Sequence, residues 1–231
     1  MWIWLVQSFL PMRTEVSKSF IVLNMEEGDF HRMKELPIVD GELVLRCVEK
    51  QDLKELYELI YSDDVPEWKQ WDAPYYPLKH ESYESFEQGM LKRMDVDPGD
   101  SRPVSIRIIE SDRQIVGTIS YYIEDELSMW LEMGIVIYRS VQWGRGVGTR
   151  SLVMWSSHLF EQMPLVRVGL TTWSGNERMM RAAVKAGLQV EGRMRKCRIV
   201  RGQYYDSIRM GMLREEWERK LAPHTNRNVN N

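Results

Sequence analysis

The 231-residue sequence predicts an α/β fold: one mixed, mostly antiparallel central sheet flanked by helices. Three observations carry this. The hydrophobic period changes from helical spacing to strand alternation near residue 104. Three strand-like runs then follow one another with only short turns between them, as in an antiparallel meander. A glycine-rich turn after the third run opens a helix, and further strand and helix patterns alternate behind it.

The elements can be justified in order. Residues 43–48, LVLRCV, alternate loosely and read as a first strand. Residues 53–61 place Leu53, Leu56, Tyr57, Leu59 and Ile60 at helical spacing. Residues 62–82 hold three prolines and many aromatics, so they form a long loop, and long loops in compact domains are often binding elements. A second helix is expected over 83–94, and DPGDSRP breaks it. Residues 104–110 and 114–124 read as a hairpin turning at 111–113, and 129–138 as the next strand. A helix over 149–162 carries Leu152, Trp155, Leu159 and Phe160 on or near one face. Residues 165–173 form a strand, and Asn176 opens a helix ending near Gly187, a natural site for a left-handed stop. CRIVRG and QYYDSIRMGML make a last strand pair around Arg201-Gly202. One domain thus spans about 41–221, with an extension of uncertain role over 1–40 and a polar tail over 222–231.

Composition narrows the function. The chain is 43% hydrophobic and 28% charged, with a net charge of −3, which is ordinary for a soluble domain. The slight acidity argues against a general nucleic-acid binder. Cys47 and Cys197 show neither metal spacing nor a disulfide framework, so a reducing cytoplasm is the simplest location. His31, His80, His158 and His224 stand singly and read as surface or satisfied, partly buried imidazoles; no metal is expected. The amino-terminal MWIWLVQSFLPM has no Lys or Arg before Arg13 and no small-residue cleavage pattern, against a signal peptide. Its apolar run is about half the roughly twenty residues that span a bilayer, so no membrane partner is expected.

The stretch from Gln142 to Trp155, QWGRGVGTRSLVMW, carries the clearest chemistry. Gly144, Gly146 and Gly148 lie between a strand and a helix, where residues without Cβ let backbone N–H groups point into one concavity. The helix behind them adds unpaired N–H groups and a positive dipole end. Together these form an anion site suited to a phosphate or pyrophosphate, with Arg145 and Arg150 adding charge at its rim. The alternative is a tight strand–helix turn with no ligand. A P-loop would need Gly-Lys-Ser/Thr, and a Rossmann turn G-x-G-x-x-G early in a βαβ unit; neither fits.

WGRGVGT after EMGIVIY resembles the acetyl-CoA loop of the GCN5-related N-acetyltransferases (GNAT), Gln/Arg-x-x-Gly-x-Gly/Ala, with Trp143 in the first position as in the RimJ/RimL-like branch. Asn176-Glu177-Arg178, AAVKAGLQVEGRMRK and DSIRMGMLREEW follow in that branch's order, and the resemblance covers about 43–217. It implies an acyl-CoA N-acyltransferase fold and acetyl-CoA as cosubstrate. The strand before the loop would splay from its neighbour, with Ile135, Val136 and Ile137 along the pantetheine arm. The pyrophosphate would meet Trp143, Gly144, Arg145, Gly146, Val147, Gly148 and Thr149. Asn176 would touch the cofactor, cap the helix, or do both.

Acetyl transfer needs a proton acceptor for the amine, and the resemblance points to Glu132 on the strand before the loop. A solvated or salt-bridged glutamate is the other reading. The family's usual proton donors to the leaving thiolate are replaced by Ala183 and Met179, so water, Tyr204 or Tyr205 would serve, or the thiolate would leave unassisted. The acceptor, a protein N-terminal α-amine or a small amine such as a polyamine or aminoglycoside, is expected between the 67–77 loop and the last hairpin. Trp68, Trp71, Tyr75 and Tyr76 could offer aromatic faces to its cation, or simply pack the loop. Asp63, Asp64, Glu67 and Asp72 would favour a positive acceptor, or be solvated. The rival function is a non-catalytic acyl-CoA-binding regulator on the same fold. A homodimer is left open.

Overall fold

The computed structural model describes residues 37–94 and 105–221. The apolar amino terminus and the polar tail, at residues 1–36 and 222–231, lie outside them, as does the DPGDSRP breaker. The sheet has eight strands: β1 (Ile38–Asp40), β2 (Leu43–Cys47), β3 (Ser105–Ser111), β4 (Gln114–Asp125), β5 (Trp130–Ile137), β6 (Arg167–Trp173), β7 (Gln189–Val200) and β8 (Gln203–Leu213). Among the described residues five α-helices accompany it: α1 (Leu53–Tyr61), α2 (Tyr83–Met94), α3 (Val147–Gln162), α4 (Glu177–Ala186) and α5 (Arg214–Leu221). The spatial order is β1-β2-β3-β4-β5-β6-β8-β7. Among the described strands only β5 and β6 run parallel, and α3 makes the crossover that such a pair requires. The expected mixed, mostly antiparallel sheet is therefore present.

Adjacent residues divide between the two faces of the sheet because side chains alternate. Ile108 and Ile115 join Leu53, Leu56, Phe86 and Met90 under α1 and α2. Ile109 and Val116 join the larger core with Leu152, Trp155 and Leu159 of α3. Those three residues are fully buried, each contributing roughly 1.5–3 kcal/mol or more.

Two elements escaped the sequence reading. Ile38–Asp40 pairs with β2, so the sheet begins within the last residues assigned to the extension. Helix α5 follows β8 directly. Its Trp217 stacks on Phe160 at 5.2 Å and donates from Nε1 to Ser157 Oγ at 3.0 Å. Arg214 donates to the carbonyls of Phe160, Met163 and Leu165 at 2.6–2.9 Å, supplying cationic partners where α3 ends. Strand β7 is also longer than CRIVRG, beginning at Gln189.

Candidate active site

Strands β5 and β6 pair at only three positions, Trp130↔Arg167, Leu131↔Val168 and Glu132↔Gly169. Beyond Glu132 they separate, while β5 stays paired with β4 as far as Ile137. The gap opens into a cleft of about 820 Å³, within the range of small-molecule sites. Glu132, Ile135, Val136, Ile137, Trp143, Gly144, Gly146, Val147, Gly148, Thr149 and Asn176 all line it. Arg145, exposed, does not.

The glycine turn is built as a cradle. Gly144 and Gly146 have φ of 77° and 86°, left-handed values that favour glycine. The first hydrogen bond of α3 runs from Arg150 N to Gly146 O at 2.9 Å, which leaves the N–H groups of Val147, Gly148 and Thr149 without helical acceptors. Gly148 lies on helical backbone, and a Cβ there would meet nothing within 4 Å beyond its chain neighbours and its own helix backbone. Neither backbone strain nor packing explains its missing side chain; a ligand laid across the cradle would. Trp143 donates from Nε1 to Ile137 O at 2.9 Å, which fastens the turn to the end of β5. Arg150 does not add free charge at the rim, since it pairs with Asp40 and Glu42 at 2.7 and 2.6 Å, which raises its pKa.

Four neighbouring strands meet at Glu132. Tyr122 on β4 lies opposite it, and Thr171 on β6 lies opposite Arg209 on β8. The Tyr122 and Thr171 hydroxyls donate to Glu132 Oε2 at 2.9 and 2.8 Å, and the Arg209 guanidinium pairs with Oε1. Of about four lone-pair positions on a carboxylate these three donors fill three, leaving one on Oε1. Glu132 is buried, yet it lines the cleft. Burial beside this carboxylate pushes the Tyr122 pKa up. The salt-bridged reading of Glu132 thus describes its resting partners; Tyr122, Thr171 and Arg209 were not singled out from the sequence.

Asn176 caps α4: its Oδ1 accepts from Met179 N at 3.1 Å. Its Nδ2 donates to Trp71 O at 3.0 Å, an oxygen that also accepts from Trp173 Nε1 at 2.9 Å. These bonds latch the aromatic loop onto β6 and α4. The loop's ring faces already carry cations. The Arg178 guanidinium lies 4.4 Å from the Trp71 ring and 4.8 Å from Trp143, and Arg198 lies 4.7 Å from Tyr75. Trp68 is buried, edge-on to Tyr138 at 5.4 Å. Burial pushes the Tyr138 hydroxyl, bonded to Thr118 Oγ1 at 2.9 Å, up to about 12. At the two donor positions Ala183 is fully buried and Met179 lines the cleft. Tyr204 is exposed and Tyr205 packs edge-on to Trp173 at 4.9 Å; neither lines the cleft.

Among the described residues no cluster of three or more His, Cys, Asp or Glu could hold a metal, and no helix is long and apolar enough to cross a membrane. His158 is buried and stacked on Trp155 at 5.4 Å, and its Nε2 finds no hydrogen-bond partner among the described residues, unlike the satisfied imidazole expected.

The family model described as an acetyltransferase (GNAT) domain matches residues 42–189. A prophage-derived uncharacterized N-acetyltransferase of Bacillus subtilis, YokL, is 31% identical over 110 residues, 48% of this chain and 62% of that relative, so under two thirds of its length is matched. A second protein of that bacterium, YdaF, provisionally named a ribosomal N-acetyltransferase, is 22% identical over 78% of this chain and 96% of its own. Among solved structures, spermidine N-acetyltransferase from Vibrio cholerae in complex with CoA and spermine superposes with a TM-score of 0.63 at 17% identity, over 78% of this chain and 99% of that one. RimL, a ribosomal L7/L12 α-N-protein acetyltransferase in complex with coenzyme A, gives 0.62 at 18%, over 76% and 96%. These likenesses under 25% show the shared fold. With the family model covering more than half of its length, the chain belongs to the GCN5-related N-acetyltransferase family.

Proposed function

We propose that this protein transfers an acetyl group from acetyl-CoA to a primary amine in a ternary complex, and that Glu132 accepts the amine's proton directly or through one water. The single observation that carries the reading is the parting of β5 from β6 beyond Glu132, with the glycine cradle at the open end of the gap. The unpaired edge of β5 at Ile135–Ile137 is where an extended pantetheine arm would bond as an added strand would. The N–H groups of Val147, Gly148 and Thr149 would hold its pyrophosphate, with Trp143, Gly144, Arg145 and Gly146 shaping the turn. Asn176, already a cap and a latch, lines the cleft and would border the arm.

Acetyl-CoA supplies a thioester carbonyl; transfer forms an N–C bond and breaks the C–S bond. The chain must position the amine, receive one proton and release a thiolate. The remaining lone pair on Glu132 Oε1 is the acceptor nearest the parting of the strands. An α-amine, with a pKa of about 8, is partly neutral near pH 7.5 and asks less of that acceptor than an ammonium near 10.4. The thiolate leaves without a dedicated donor, which a thiol pKa of about 8.5 permits. The soluble location expected from the cysteine count is the cytoplasm, where acetyl-CoA is at hand.

The test is acetyl-CoA consumption against a panel of peptide and small-molecule amines, with Glu132→Gln beside the wild type. Transfer should drop by about 10²–10⁴-fold in the variant while CoA affinity holds. CoA binding without transfer to any amine would replace this proposal with the acyl-CoA-binding regulator.

A further inference from the structure

The β7–β8 hairpin stands out from the rest of the chain in charge. Residues 193–201 contain Arg193, Arg195, Lys196, Arg198 and Arg201 and no acid, in a chain whose net charge is −3. Strand β7 is the sheet edge and is exposed along nearly its whole length. Its register breaks between Met194 and Arg198, and Lys196 takes a φ of 54° there, so Arg195 and Lys196 stand on an outward bulge. Asp206 holds that bulge by accepting from Lys196 N at 2.8 Å and pairing with Arg193. Arg195, Lys196, Arg198 and Arg201 have no carboxylate at ion-pair distance among the described residues. Met194 and Ile199, half-exposed at 50% and 54%, lie among them and add apolar contact.

The hairpin also borders the cleft. Arg198 covers the Tyr75 ring, Tyr205 packs on Trp173, and Arg201 reaches Gln70 Oε1 at 3.4 Å. Tyr75 and Trp173 line the cleft, so Arg198 and Arg201 stand at its outer edge, and the basic run continues from them along β7 to the bulge.

We infer that this rim docks an acidic polypeptide whose N-terminal amine enters the cleft, an inference that rests on the acetyl-transfer reading above. A polycation such as a polyamine would be repelled by the rim, whereas acidic side chains a few residues behind an N-terminus would be drawn to it. The basic run extends roughly 15–20 Å along the strand, which suits several residues of extended chain rather than a small molecule. Nucleic acid fits less well. The Trp71, Trp143 and Tyr75 faces on which bases would stack are covered by Arg178 and Arg198, and the rest of the chain is acidic.

The experiment uses the full chain and three peptides that share their first three residues and carry acidic, neutral or basic residues at positions four to ten. Acetylation is followed by acetyl-CoA consumption, and binding by anisotropy of the same peptides labelled at the carboxyl end. The acidic peptide should show kcat/KM about tenfold or more above the neutral one, with the basic one lowest and the gap narrowing between low and high salt. The double variant Arg195→Glu, Lys196→Glu should erase that preference and leave CoA affinity and turnover of the neutral peptide unchanged. Equal kcat/KM for the three peptides, or spermidine outrunning all of them, would overturn the rim while leaving acetyl transfer intact. An RNA oligonucleotide that binds the patch and is not displaced by the acidic peptide would overturn it too, as would a double variant that only converts a dimer to a monomer. Binding of the acidic peptide that the double variant abolishes, with no transfer to any amine, would keep the rim and sink the acetyl-transfer reading.

Discussion

Replacing Gly148 by alanine separates what the fold needs from what a ligand needs. Its backbone is helical, and the added methyl would meet nothing within 4 Å beyond its chain neighbours and its own helix backbone. Alanine in a helix is favoured over glycine by roughly 0.5–1 kcal/mol, so the unliganded protein should become slightly more stable. Gly148 lines the cleft, so the methyl would take up space that a phosphate laid on the cradle needs. Losing one charge-assisted hydrogen bond to a phosphate costs about 1.5–3 kcal/mol, which weakens CoA binding about 10- to 150-fold. Urea unfolding of the free protein and calorimetric titration with CoA read the two effects separately. Gly146→Ala is the contrast: its φ of 86° makes alanine strained by roughly 1–2 kcal/mol, so stability and affinity should fall together. A Gly148→Ala protein that binds CoA within twofold of wild type, or that loses stability in step with affinity, would refute the cradle.

Two further outcomes are expected. Arg178→Ala removes the cation shared by Trp71 and Trp143, a contact worth about 0.5–2 kcal/mol; it should raise KM for acetyl-CoA and for the acceptor together, by several-fold each, and a fall in kcat alone would show that the two loops are not coupled. Burial, with Arg107 nearby, holds His158 below its usual 6.5. The unfolded chain therefore takes up a proton that the fold excludes, and His158 supports stability above about pH 6.5 but less as pH falls through its folded value. His158→Gln should narrow the difference in urea midpoint between pH 7.5 and pH 5, and an unchanged difference would count against this.

The alternating runs on β3, β4 and β5 and the helical spacing of Leu152, Trp155 and Leu159 were legible because each reports burial through its own period. The glycine turn was legible because its φ angles and open cradle restrict residue type locally. The partners of Glu132 were not. Thr171 and Arg209 stand 39 and 77 residues away, on strands whose neighbours are not consecutive, and no local spacing encodes that order. Helix α5 was hidden because it buries Trp217 and is otherwise mostly charged, too thin an apolar stripe to show a period. Length and aromatics mark the 62–82 loop as a candidate binding element, but the arginines that cover its rings come from α4 and β7, and no local pattern announces them.

The three-rung junction of β5 with β6 has a consequence for motion. Among the described strands it is the one parallel seam, with paired residues only as far as Glu132 and Gly169, and beyond it no ladder bond would hold the two leaves against breathing. Amide protons of Ile135–Ile137 that face the gap should exchange with deuterium readily in the empty protein. An acyl donor lying between the leaves would supply the missing rungs and slow that exchange, so occupancy should register as a stiffening of the seam.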